Sequence, residues 1–176
     1  MRHVEIHAFI RDTDADSVFD TLADFRSYID LVDVVRSVEQ HRPEESSGHS
    51  SWVVEFRNGL LRWTERDWFR RAELRLDFDQ IEGDFEEFSG GWVLEPAPEG
   101  VRTALIADFD FGVPSLASIV EPVAERVLTD VTQLILLGLF GDRVEFPDGT
   151  TAPAHPAAVS AGGRVRHTAA TAGGRP

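Results

Sequence analysis

Apolar and polar positions alternate through most of the first 111 residues and then change to a helical period. In His3 to Ile10, Val4, Ile6, Ala8 and Ile10 share one face and His3, Glu5, His7 and Phe9 the other, which predicts a half-buried strand. Thr13-Asp14-Ala15-Asp16 supplies an N-cap and first-turn acids for a helix that turns Val18, Phe19 and Leu22 inward. A second short helix is expected from Phe25 to about Val34, with Tyr28, Leu31, Val32 and Val35 at helical spacing, then a strand over Val35 to His41 and a polar loop to His49.

The stretch Trp52 to Phe69 reads as a hairpin, because Asn58-Gly59 is the dipeptide that a type I′ turn favours. Counting outward from that turn sets Val54 opposite Trp63 and Trp52 opposite Glu65. Trp52, Val54, Phe56, Leu61 and Trp63 then form a buried face, and strict alternation carries Glu65 and Asp67 onto it unless a bulge intervenes. Two carboxylates on an apolar face are the main chemical signal of the chain.

Further strands are expected over Leu74 to Gln80, Phe88 to Leu94 and Val101 to Phe111. Gly83, Gly90 and Gly91 read as bend or bulge glycines rather than a phosphate loop, since no helix start follows them. From Ser115 or Ser118 one long helix runs to Phe140, restarted or kinked at Pro122, with Val120, Val123, Val127, Val131 and Leu134 toward the sheet. Leu134 to Phe140 is apolar all round, so this end is either deeply buried or the face of a homodimer. The order is strand, two short helices, about six strands and a terminal helix. That predicts an α+β fold: a curved antiparallel β-sheet around a long C-terminal helix, with an internal cavity between them.

At 176 residues the chain is expected to form one domain over 1–146, followed by a disordered Ala/Gly/Pro-rich tail over 147–176. The formal charge is −14, and from Ala152 onward the tail holds three Arg and no acid, so the domain is more acidic still. An acidic surface without a basic stripe argues against nucleic acid and anionic membrane as partners. No run approaches the roughly 18 apolar residues of a spanning helix, and a cytoplasmic protein is the expectation. The absence of Cys removes disulfide and thiolate chemistry, and the absence of Lys removes Schiff-base catalysis by a side-chain amine. His3 and His7 lie two strand positions apart without a third ligand, so no metal site is expected.

Five segments in order resemble the START-like, or helix-grip, superfamily, which includes the birch pollen allergen: MRHVE, VFDTLADFRSYIDLV, RWTERDW, GDFEEFSGGW and DFDF. Within it the chain resembles the polyketide cyclase/dehydrase (aromatase/cyclase) group and is similar to coenzyme-Q-binding START-like proteins, over about Arg2 to Arg143. The resemblance implies a hydrophobic cavity for an aromatic or polyketide-like ligand, with no metal and no organic cofactor, and a substrate that an acyl carrier protein can present. It also implies that the second helix lines the entrance, through Tyr28, Val32 and Val35. The group's inward Arg falls at Asp67 here and its occasional His at about Phe109; a one-residue bulge would bring Arg66 inward and restore the pattern.

The candidate catalytic residues are therefore Glu65, Asp67 and Arg66, with the carboxylates suited to moving protons α to a carbonyl and onto a leaving hydroxyl. Substrate contacts are expected from Tyr28, Val32, Val35, Trp63, Gln80, Trp92, Phe109 and Asp130. Gln80 is a candidate partner of Glu65 or a carbonyl anchor, with a place on the exposed surface as the alternative. Inward polar groups favour a cyclase, aromatase or dehydratase acting on a poly-β-carbonyl substrate. A wholly apolar cavity would favour a non-catalytic carrier of a quinone, lipid or aromatic product, and a dimerising Leu134 to Phe140 end would favour an interaction protein.

Overall fold

The computed structural model describes residues 1–56, 59–113 and 117–147, and of Phe56 and 117–121 the backbone alone. The expected 147–176 tail and the caps at Ser115 and Ser118 thus fall almost wholly outside the described residues and side chains. The elements are β1 (Arg2–Arg11), α1 (Ala15–Ala23), α2 (Tyr28–Leu31), β2 (Val35–His41), β3 (Ser47–Phe56), β4 (Gly59–Arg70), β5 (Arg75–Gly83), β6 (Glu87–Ala97), β7 (Gly100–Asp110), α3 (Ala117–Phe140) and β8 (Val144–Glu145). The strands form one antiparallel sheet in the order β2-β3-β4-β5-β6-β7-β1-β8. This is the helix-grip fold, a curved sheet with a long C-terminal helix against it.

Alternation does what the sequence pattern predicts in β1, where Val4, Ile6, Ala8 and Ile10 are all buried. Helix α1 begins where Asp14 accepts a bond from the Ser17 N–H, and it buries Val18, Phe19 and Leu22. In β6, a Cβ on Gly90 would lie 2.3 Å from the Ile106 carbonyl oxygen on β7, so only glycine permits so close an approach.

Four expectations need correction. The second helix is shorter than Phe25 to Val34: a 3₁₀ turn covers Phe25–Ser27 and α2 adds a single turn before Val32 takes extended dihedrals. Tyr28, Val32 and Val35 are buried as their spacing suggests, but Leu31 is exposed because the chain has already turned toward β2. The hairpin register is displaced by two residues. Its closing pair is Phe56–Gly59, with Arg57 and Asn58 outside the described residues, and Trp52 pairs with Trp63, Val54 with Leu61 and Ser50 with Glu65.

The displacement stacks the two indoles, 5.9 Å apart and 8° from parallel, and gives Glu65 a hydroxyl as its neighbour in place of an indole. A shift of two leaves every side chain on its face, so the inward set is unchanged. Third, α3 is continuous through Pro122, which sits close enough to its start to deprive only the Ser118 carbonyl of its usual donor. Its cavity-facing side is Ala124, Val127, Leu128, Val131, Thr132 and Ile135, a stripe rotated from the expected one. The apolar end packs within the chain: Leu136 and Phe140 are buried, and Gly138 lies against the Leu31 carbonyl of α2. Fourth, β8 pairs with β1 through Phe9–Glu145 and Ile10–Val144, two residues too short to leave a periodic signal.

Candidate active site

Between sheet and α3 lie two connected hollows that share Val54, Trp63, Phe88, Leu128 and Val131. Both open to solvent; the one termed outer here, about 440 Å³ including its opening, is walled by Trp63, Phe85, Phe88, Phe109 and Phe111. The inner one, about 740 Å³ on the same measure, is walled by Tyr28, Trp52, Phe78 and Trp92 and carries both Glu65 and Asp67. Aromatic rings dominate because inward positions of five strands and the first helical turns after α1 all converge there.

Glu65 and Asp67 are 5% and 2% exposed, so β4 carries two carboxylates inward, one strand repeat apart. The bulge that would have rotated Arg66 inward does exist, between Thr64 and Glu65 where β4 meets β5. Its extra residue belongs to β5, however, so alternation along β4 is uninterrupted and Arg66 stays exposed on the outer face. Arg66 as an inward group is therefore corrected: it is absent from the cavity wall.

Both Glu65 oxygens are engaged. The Trp63 indole donates to Oε2 at 2.6 Å and the Ser50 hydroxyl donates to Oε1 at 3.2 Å, while Ser50 itself accepts from the Trp52 indole at 2.8 Å. Asp67 differs, since its Oδ2 is buried and has no hydrogen-bond partner. Burial, and then the neighbouring Asp67 charge, push the Glu65 carboxyl well above the usual range. Burial also raises Asp67, to about 6, against the opposing pull of Ser50, Glu65 and the Arg42 guanidinium. Both carboxyls therefore hold a proton more tightly than exposed carboxylates do, Glu65 more than Asp67, which suits Glu65 to the role of acid and Asp67 to that of base.

The remaining expected residues divide. Tyr28, Trp63 and Trp92 line the inner hollow and Phe109 the outer one. Val32 and Val35 are buried in the core without lining either hollow; Val32 takes extended dihedrals after the single turn of α2, and its side chain lies against Gly138 of α3. Gln80 pairs in register with Glu65, but its amide donates to the Phe85 carbonyl at 2.8 Å, which makes it a loop clamp. Asp130 is half-buried on a side of α3 away from both linings.

Tyr28 is neither at the mouth nor in water: its hydroxyl donates to the Leu22 carbonyl at 2.8 Å, tying the end of α1 to the cavity wall. Burial, with Asp24 and Glu65 nearby, holds the phenol protonated. Tyr28→Phe is expected to cost about 1–3 kcal/mol in denaturant unfolding by stranding that carbonyl, while changing ligand affinity less than twofold. A tenfold affinity loss at unchanged stability would instead make the hydroxyl a ligand contact.

Pattern reading missed Ser50, Phe85 and Phe88. Ser50 has the parity of Trp52 and faces Glu65 once the register is corrected, so the turn assignment alone hid it. Phe85 follows the β5 end, where no periodicity marks a side-chain direction.

No curated protein sequence matches the chain. Among solved structures, TTHA0849 from Thermus thermophilus is similar over 81% of this chain and 96% of its own, at 24% identity and a TM-score of 0.72. The Zhui aromatase/cyclase from Streptomyces sp. R1128 is similar over 78% of this chain and 93% of its own, at 23% identity and a TM-score of 0.67. A STAR-related lipid transfer protein fragment from Xanthomonas axonopodis is similar over 76% and 86%, at 14% identity and a TM-score of 0.56. These likenesses establish the fold. The family model for polyketide cyclase/dehydrase and lipid transport matches residues 12–134, and the chain belongs to that family.

Proposed function

We propose that the chain is a cyclase/aromatase-like enzyme that promotes cyclisation or dehydration of a poly-β-carbonyl or aromatic intermediate by acid/base catalysis inside the inner hollow. The observation that carries this reading is the buried Asp67 oxygen without a partner, beside a Glu65 whose two oxygens are both held. A carrier of apolar cargo has no use for a second buried carboxyl, which costs several kcal/mol to desolvate. Asp67 removes a proton from a carbon between two carbonyls, the enolate attacks a ketone carbon, and protonated Glu65 gives its proton to the new alkoxide. Dehydration reverses the roles: Glu65 takes the second α-proton, Asp67 protonates the departing hydroxyl, water leaves, and the pair again holds one proton. Similarity to an aromatase/cyclase supports the substrate class, and presentation by an acyl carrier protein is part of the proposal.

A second reading, a non-catalytic binder of a quinone, lipid or aromatic polyketide, is favoured by the outer hollow, which is apolar apart from Glu55, and Arg36 pairs with that residue. The family description covers both classes. Turnover of a carrier-bound poly-β-carbonyl by Glu65→Gln and Asp67→Asn variants separates them.

A further inference from the structure

The charges facing the cavity are all of one sign. Glu65 and Asp67 carry that charge inward; Asp77 and Glu55 border the hollows from strand positions that alternate to the outer face, and no Arg or His is among the described lining residues. Asp77 is neutralised by Arg70 and Arg75, and Glu55 by Arg36, so the uncompensated charge is that of the Glu65–Asp67 pair. Arg42, whose charge acts on Asp67, is outside both linings: it is exposed, lies 3.8 Å from the centroid of the Phe69 ring, and donates from Nε and Nη2 to the Glu45 carbonyl. Among the described side chains that line this aromatic-walled space, the buried Asp67 Oδ2 is an acceptor without a partner.

We infer that the cavity selects its ligand by charge and donor: a flat aromatic or enolised body carrying a hydroxyl that donates to Asp67, and no carboxylate. A free acid would bring a further negative charge into a site of low dielectric with no cation among the described lining residues to meet it. An enol or phenol hydroxyl instead satisfies the stranded oxygen. The inference rests on the cavity being the ligand site, as in the proposed function, and not on turnover.

The test is binding of three bicyclic probes of similar shape at pH 7.5, 2-naphthol, 2-naphthoate and 2-methylnaphthalene, read by quenching of the cavity tryptophans. The expected order is 2-naphthol tightest, with 2-naphthoate at least tenfold weaker and 2-methylnaphthalene at least threefold weaker. In the Glu65→Gln/Asp67→Asn double variant, checked for folding by its melting curve, 2-naphthoate is expected to gain at least fivefold. Equal binding of naphthol and naphthoate by the natural chain overturns the inference, and so does binding of none of the three. If the probe order holds while both single variants keep full turnover, the catalytic reading fails and this one stands.

Discussion

Glu65→Gln and Asp67→Asn are each expected to abolish measurable turnover while leaving ligand affinity within about tenfold. Each substitution keeps the shape of the side chain and removes one proton position. A glutamine in place of Glu65 can still accept from the Trp63 indole through its carbonyl oxygen, so the wall of the hollow survives. An asparagine in place of Asp67 offers an amide where the free Oδ2 stood, which fills the same space without basicity. A positioned general acid or base is worth roughly 10²–10⁴ in rate, and here one pair must supply both roles in sequence. The loss should therefore appear in kcat with KM nearly unchanged, the pattern of an interaction made only in the transition state. Unchanged rates in both variants would remove the catalytic role and leave a binding protein.

Stability should fall, not rise, as the pH is raised from about 4 to about 7, relative to the Glu65→Gln/Asp67→Asn variant. Most native carboxylates behave the other way, because partners lower their pKa; Glu5, Asp14 and Asp110 on this surface are of that kind. For Glu65 and Asp67 the folded state binds protons more tightly than the unfolded chain. Below the unfolded pKa both states are protonated and nothing is lost. Above it the unfolded chain gives up its protons first, so the unfolded state gains until the pH passes the folded pKa. For Asp67, raised from 3.8 to about 6, this amounts to about 3 kcal/mol. Urea midpoints of the natural chain and the double variant, taken across this range, should diverge steadily, since the other titrating groups are common to both. Parallel curves would mean that the pair is solvated.

The inward direction of Glu65 and Asp67 was legible because the period of a strand is two, and no local detail short of a bulge in β4 could change it. The turn gave the right topology but a register wrong by two. Cross-strand stacking of Trp52 on Trp63 and the Ser50 contact to Glu65 outweighed the preference of Asn58-Gly59, and such long-range packing has no signature in a dipeptide. For the same reason Ser50 stayed invisible. The bulge could be anticipated as an event but not assigned to a strand, and its position in β5 is what keeps Arg66 outside. Helix α3 showed its length clearly, while its apolar residues are so numerous that several faces fit the pattern equally. The face that meets the cavity is selected by the sheet and by α2 against Gly138, not by the helix itself.

Burial raises the Glu65 and Asp67 carboxyls together, and the proposed acid/base chemistry depends on it. Carboxyl ¹³C chemical shifts of these two residues, followed by NMR from pH 3 to 9, measure that directly. An inflection for Asp67 near pH 6 is expected, with Glu65 titrating well above the usual carboxylate range. Both residues titrating near pH 4, as exposed carboxylates do, would contradict it.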